Sequence, residues 1–346
     1  MKFKLHYFLL FLNISCIANC FLKATWKRQF KYLRFVYVLL VTISCKIPLD
    51  NLAPSGTSYQ LEMRTLIENI SKNAKAIKSD FFIIPQNGLE LYQTENNLNL
   101  NYLKAIDGQL IEGRYFGNIT VNQPVNGIDN TFFEKYLENK TKGDLPIFNI
   151  DYCDNVEIIN KSLASNKAAG NKLFIAYNKN WTDLNSLQTP ILEENTKNNK
   201  TLNETKNFFL LPKTNFTSKE IIFENLKNSN HDLLIIYPFY NNQLFTKTEI
   251  EALKTKKNGG KRLVIAFLNI GLADTKLFYW KPDWKIKLPS FTNKEIGNEE
   301  QFRVNYWETA WQNVLSGQEN SLINNYIKSG FDGCYLSDVE SFKYYE

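Results

Sequence analysis

Eight short apolar runs punctuate the chain after residue 58. They are "DFFIIP" (80–85), "AIDGQLI" (105–111), "PIFNIDY" (146–152), "KLFIAY" (172–177), "NFFLLP" (207–212), "DLLIIY" (232–237), "RLVIAFL" (262–268) and "FDGCYLS" (331–337). Most are continuously apolar rather than alternating. That pattern predicts parallel strands buried on both faces. Segments of helical period separate many of them. In 59–78, Leu61, Leu66, Ile70, Ala74 and Ile77 recur near helical spacing. Residues 218–229 open on Ser218, a good N-cap. A further segment opens at Thr246 or Thr248 and stops at Gly259-Gly260, and "SLINNYIKSG" stops at Gly330.

Eight alternations of β and α in this length predict an α/β protein, a (β/α)8 TIM barrel. A doubly wound sheet is the competing arrangement. Two stretches break the rhythm. Residues 188–206 are polar and rich in Asn, Thr and Lys, and read as an exposed linker. Residues 281–300 are long for a barrel connection and are expected to fold over the site.

The first 45 residues differ from the rest. Two apolar runs, 7–22 and 35–45, each follow basic residues. Both are short for a bilayer span and fit the apolar region of a signal peptide. The second ends at Cys45 and then turns polar, which is the layout of a bacterial lipoprotein signal. Thr42 stands where that pattern prefers Leu. The expected organisation is a leader over 1–45 with the true start near Leu33 and 1–32 untranslated. A linker over 46–58 and a barrel domain over 59–346 follow. Cys45 is the expected lipid anchor and the location extracytoplasmic, on a membrane. The alternative is a plain transmembrane anchor, with Cys45 an ordinary thiol.

Charge sharpens this division. The formal net charge of +6 is misleading, because residues 1–45 hold seven basic residues and no acid. The remainder is close to neutral and lacks the electrostatic footprint of a nucleic-acid binder. The only histidines are His6 and His231, and no CxxC pair occurs, so a histidine-ligated metal site is not expected. Cys153 and Cys334 lie in or beside apolar runs and read as buried free thiols. No P-loop, dinucleotide glycine fingerprint or nucleophile elbow is present, and no cofactor is expected.

Several segments together carry a resemblance. "GGKRLVIAFLNIGLADTKLFYWKPDW", "VNYWETAW" and "SGFDGCYLSDVESFKYY" resemble parts of the glycoside hydrolase family 114-like barrels, relatives of endo-α-1,4-polygalactosaminidase. "DFFIIPQNGLELY" and "YLKAIDGQLIEGRYFG" are also similar to that group. The matches run from about residue 60 to 346. The order differs: in the family the "IPQNG" strand follows the "GFDG.YL" strand, whereas here it comes first. The resemblance therefore implies a circular permutation, with 188–206 joining the old termini.

Glycoside hydrolysis needs two carboxyl groups, which in this fold belong at the C-terminal ends of strands. Tyr237, Leu272 and Ser337 stand where the resemblance implies acids. Asp274 and Asp338 lie nearby, although a one-residue shift along a strand turns a side chain to the opposite face. Asp151 matches in position, Glu112 follows its strand, and Asp107 and Asn87 complete the expected cluster. The candidate catalytic residues are Asp151, Glu112 and Asp274, each weighed against a structural role in loop hydrogen bonds. Candidate glycan contacts are Asn87, Tyr237, Trp280 and Tyr306, weighed against packing. Trp307 and Trp311, four apart on a helix, read more readily as packing. Asp332 reads as a turn or cap residue at the opposite, stability face. The expected function is a glycan-handling barrel with a carbohydrate ligand, degenerate or hydrolytic. The alternative is a surface scaffold or adhesin with no sugar chemistry.

Overall fold

The computed structural model describes residues 53, 56–95, 97–137, 145–296 and 300–346. The described residues all belong to one compact unit, 51–346. The leader, Cys45 and most of the 46–58 linker lie outside the described residues. Among the described residues, no helix is long and apolar enough to cross a membrane.

All eight predicted strands form. They are β1 (Phe82–Pro85), β2 (Gln109–Glu112), β3 (Ile147–Tyr152), β4 (Lys172–Ala176), β5 (Phe209–Leu211), β6 (Leu233–Ile236), β7 (Leu263–Asn269) and β8 (Gly333–Ser337). The helices are α1 (Tyr59–Ile77), α2 (Leu100–Ala105), α3 (Gly127–Leu137), α4 (Val156–Ala169), α5 (Lys219–Lys227), α6 (Lys247–Leu253), α7 (Thr309–Leu315) and α8 (Leu322–Lys328). The protein is thus α/β, with parallel strands and crossover connections.

The strands pair as two parallel sheets, one of five in the order β1-β8-β7-β6-β5 and one of three in the order β2-β3-β4. No continuous eight-stranded ladder closes them into a barrel. Single parallel bridges, Gln86 with Leu110 and Leu173 with Asn207, lie at the two junctions. At the first junction the Asp107 amide donates to the Ile83 carbonyl (2.8 Å) and the Asn87 amide to the Leu110 carbonyl (2.8 Å). Pro85 has no amide hydrogen, so the ladder cannot run unbroken there.

Aromatic side chains fill the space between the strands. Phe148 and Phe174 both meet Phe208 edge-on, and Phe267 lies 5.3 Å from Tyr335. Helix α1 starts at Ser58, whose hydroxyl caps the Leu61 amide. Its buried stripe is Met63, Leu66, Ile67, Ile70 and Ala74. Leu66, Ile70 and Ala74 of the stripe predicted from sequence are buried, whereas its two end residues, Leu61 (52%) and Ile77 (54%), are exposed.

Two other expectations change. The 188–206 segment is not a loose exposed linker. Thr189, Asn199, Leu202 and Thr205 are buried, and the Asn199 amide donates to the Lys261 carbonyl (3.0 Å). The 281–300 region contributes to an antiparallel sheet of Leu272–Asp274, Gln301–Val304 and Thr292–Ile296, with Gln301–Val304 in the middle.

Candidate functional site

An open cavity of about 780 Å3 lies at the C-terminal ends of the strands. Gln86, Glu112, Tyr237, Asn269 and Ser337, each at or just past a strand end, line it, with Leu272, Asp274 and Asp338. The three positions where the resemblance implies acids, Tyr237, Leu272 and Ser337, therefore all face this cavity. So do the two acids beside them in sequence.

Asp274 shares a face with Leu272 because strand side chains repeat every second residue. Asp338 reaches the cavity by another route. It adopts a left-handed backbone (φ 58°), which ends strand alternation immediately after Ser337. Asn269, at the end of β7, donates its amide to the Asp338 carboxylate. The carbonyl oxygen of the same side chain accepts from the Gly271 (3.0 Å) and Leu272 (2.8 Å) amides. One asparagine thus ties the end of β7 to the acid beyond β8. Gly271 makes this approach sterically open: a Cβ there would sit 2.9 Å from the Asp338 Cβ, and closer still to the Ser341 hydroxyl.

Glu112 is fixed from the opposite side. Asn87, itself left-handed (φ 50°), accepts the Glu112 amide on its side-chain oxygen (3.1 Å). The Tyr152 hydroxyl bonds to the Glu112 carboxyl, and the Lys179 ammonium lies 4.6 Å from the Tyr152 ring centre. Burial pushes the Glu112 carboxyl above the ordinary range. Tyr152 and Lys179 oppose the rise, and Asp338 and Glu340 add to it. Asp338 is also raised, by burial first, against the Asn269 hydrogen bond and Arg303. Asp274 is raised by burial, against bonds from the Lys276 amide and Gln301. Three carboxyl groups biased toward the protonated form at one cavity is an arrangement suited to proton transfer.

A second cavity of about 330 Å3 adjoins on the far side of Glu112, lined by Asn87, Asp129, Phe132, Glu340 and Lys343 among others. Glu112 lines both cavities. Asn87 therefore serves the site by holding Glu112 and by lining this second space.

Other candidates lie elsewhere. Asp151 is fully buried and faces α4, away from the cavity. It accepts from the Tyr115 (3.1 Å) and Phe116 (3.2 Å) amides, the Ser162 hydroxyl (2.6 Å) and Asn166 (3.0 Å). The cause is alternation: Phe148 and Tyr152 turn to the inside of β3, so Asn149 and Asp151 turn to the helix. Asp107 sits at the other end of the strands, where it accepts the Ile83 amide (2.9 Å) and pairs with Lys75 (2.9 Å). Asp332 is at that end too, accepting the Val264 amide (2.9 Å) and pairing with Lys254 (2.9 Å).

The aromatic candidates divide similarly. Tyr237 lines the cavity. Trp280 stacks on Phe302 (5.6 Å, 10°) and abuts Trp284, outside the cavity lining. Tyr306 is buried and donates to the Tyr59 carbonyl (2.9 Å), which binds the C-terminal region to α1. Trp311 is core and donates to the Ile270 carbonyl (2.8 Å). Tyr279, one of the crowded aromatic residues of 278–284, lines the cavity instead, as do Trp181 and Tyr335, which the sequence does not single out. Among the described residues no group of three or more His, Cys, Asp or Glu is placed to hold a metal ion.

No protein-family model matches the chain. It is similar to an uncharacterized protein of Methanocaldococcus jannaschii, 31% identical over 126 residues, which are 35% of this chain and 34% of that one. An uncharacterized protein of Deinococcus radiodurans is 28% identical over 116 residues, 33% of this chain and 35% of its own. One of Thermotoga maritima is 33% identical over 85 residues, 23% and 24% respectively. The chain thus spans about a third or less of the length of these relatives.

Proposed function

We propose that the protein is a glycan-cleaving (β/α)8 barrel in which Glu112 and Asp338 form the working carboxyl pair. Closure of the eight strands into one ring is supported by the two parallel bridges that join the edges of the five- and three-stranded sheets. The similarity to family 114-like glycoside hydrolases, in circularly permuted order, is part of this reading. Helix α1 precedes β1 and packs against α2 and α8, as a helix between β8 and β1 of a permuted barrel would.

The observation that carries the reading is the meeting of Glu112 and Asp338 at one cavity, each held by an asparagine from a neighbouring strand end. Glu112 is the more enclosed, and its raised affinity for a proton fits it to protonate a departing glycosidic oxygen. Asp338 would then act as base or nucleophile, with Asp274 the alternative partner. Tyr237 and Trp181 supply apolar surface for a sugar ring. Displaced acids of this kind compensate for Tyr237, Leu272 and Ser337.

The test is release of reducing ends from α-linked, galactosamine-containing and other polysaccharides by purified protein. Loss of release in both Glu112→Gln and Asp338→Asn, with folding intact, is the expected outcome. Binding without cleavage by the unaltered protein would favour a degenerate, glycan-binding barrel, a reading that the non-acidic Tyr237, Leu272 and Ser337 support. Neither binding nor cleavage would sink both and leave the scaffold or adhesin reading. A lipid-modified Cys45 and an extracytoplasmic location remain part of the proposal, and intact-mass measurement of membrane-extracted protein tests them.

A further inference from the structure

We infer that the loop of residues 281–290 is a docking surface for an anionic lipid bilayer. Its sequence, "KPDWKIKLPS", alternates cationic and apolar side chains at the tip. Ile286 is 92% exposed and Leu288 48% exposed, which is unusual for two neighbouring large aliphatic residues on one turn. Lys285 and Lys287 beside them are exposed as well.

The loop is braced from within. A short 3-10 turn spans Pro282–Lys285, and the Asp283 carbonyl accepts from both the Ile286 and Lys287 amides (3.1 Å each). Trp284 anchors its base, edge-on to Phe291 at 5.4 Å and to Trp280 at 5.2 Å. Lys281 lies 5.5 Å from the Trp284 ring centre. The aliphatic tip is thus held out from the body by a fixed turn.

Charge selects the partner. Three lysines and one aspartate leave the loop positive. Lysine ammonium groups beside inserted aliphatic side chains match anionic headgroups above an acyl boundary, and each cation near such a surface adds about 5-fold in binding. Tryptophan at the base of the loop suits the interfacial level. This inference does not depend on the glycan reading and would hold if Glu112 did no chemistry.

Bulk vesicle binding would be uninformative, because residues 7–22 and 35–45 are themselves apolar. The experiment is therefore local: hydrogen exchange of the full chain, with peptides spanning 281–290 followed alone and on vesicles. The vesicles are phosphatidylcholine, with or without phosphatidylglycerol. Exchange in this loop is expected to slow by about 10-fold on the anionic vesicles only. Peptides covering the exposed Ile119 and Val156 should not change. Ile286→Ser with Leu288→Ser, and separately Lys285→Ser with Lys287→Ser, should each remove the protection; all four side chains are exposed, so the fold should be retained. Unchanged exchange on anionic vesicles overturns the inference, as does equal protection on phosphatidylcholine alone. Protection that grows with protein concentration without lipid would also overturn it, by showing a second copy on the loop.

Discussion

Each of the two proposed working acids depends on one asparagine. Asn87 holds the Glu112 backbone and Asn269 holds the Asp338 carboxylate. Glu112→Gln and Asp338→Asn are each expected to lower hydrolysis by about 100-fold or more, the usual scale for losing a general acid or base. Stability should move the other way for Glu112. Its folded carboxyl binds a proton more tightly than in the unfolded chain, so the native state holds more protons between the ordinary carboxyl range and its raised value. Native stability therefore falls as pH rises through that window and stays low above it. Glu112→Gln removes the ionised form, and thermal unfolding at pH 7 should occur at a higher temperature than for the unaltered protein. The difference should vanish below the ordinary carboxyl range. Asp151 predicts the opposite. Asp151→Ala strands two amides, a hydroxyl and an asparagine in the interior, and should cost roughly 3–5 kcal/mol in denaturant unfolding. Any lost activity should follow the folded fraction. Position along the strand does not separate Asp151 from Glu112. Asp151 and Glu112 both end apolar strands, and their opposite directions are set by which face of each strand meets the helices. Strand alternation alone would turn Asp338 away, and its left-handed backbone is what brings it to the cavity.

The secondary elements were more legible than the side chains on them. Parallel strands buried on both faces tend to be continuously apolar, so most of the eight are visible as unbroken runs, while 105–111 and 331–337 are interrupted by polar residues and glycine. What periodicity could not give was where the covered stripe ends. The predicted stripe of α1 included Leu61 and Ile77, which the structure exposes, because aliphatic residues at helix ends satisfy the spacing without being covered. Loops were least legible, and the site is built from them. The "NIGLAD" segment illustrates why. Its glycine is needed because the turn after β8 passes so close that a methyl group would meet Asp338 and Ser341. Gly271→Ala should push that turn outward and displace Asp338 by a fraction of an ångström to an ångström. Misplacement on that scale costs about 100-fold in catalysis, while overpacking costs about 1–3 kcal/mol in stability. Steady-state kinetics beside denaturant unfolding would separate the two. A loss of activity no larger than the loss of folded protein would show that Asp338 is not held by this contact.

Across the whole molecule, the polar 188–206 segment is the element whose composition misleads most. It looks like a spacer, yet it shuts the end of the strands opposite the cavity. Leu202 approaches Gly108 and Phe148, where an added Cβ at Gly108 would lie 3.3 Å from it. Asn195 is the pivot. Its carbonyl accepts the Lys256 ammonium (2.7 Å), and its side-chain amide donates to Asp232 (3.0 Å). Lys256 and Asp232 form an ion pair at 2.8 Å with no exposure of either side chain, and the Lys206 amide completes the set on Asp232 (2.9 Å). The polar residues of the segment are therefore the partners that allow two charges to be buried beneath it. Removing one charge leaves the other uncompensated, which costs about 3–5 kcal/mol. Lys256→Met should lose that much in equilibrium unfolding. Lys256→Met combined with Asp232→Leu should recover only part of the loss: no carboxylate is left without its ammonium partner, but the buried Arg262 loses the nearby charge of Asp232. The segment should also resist proteases in the native protein, despite its composition, and become cleavable only with global unfolding. Limited proteolysis across a urea series distinguishes the cases. Cleavage within 190–200 well before the main transition would mean that the segment opens independently, and that the buried pair does not join it to the rest of the fold.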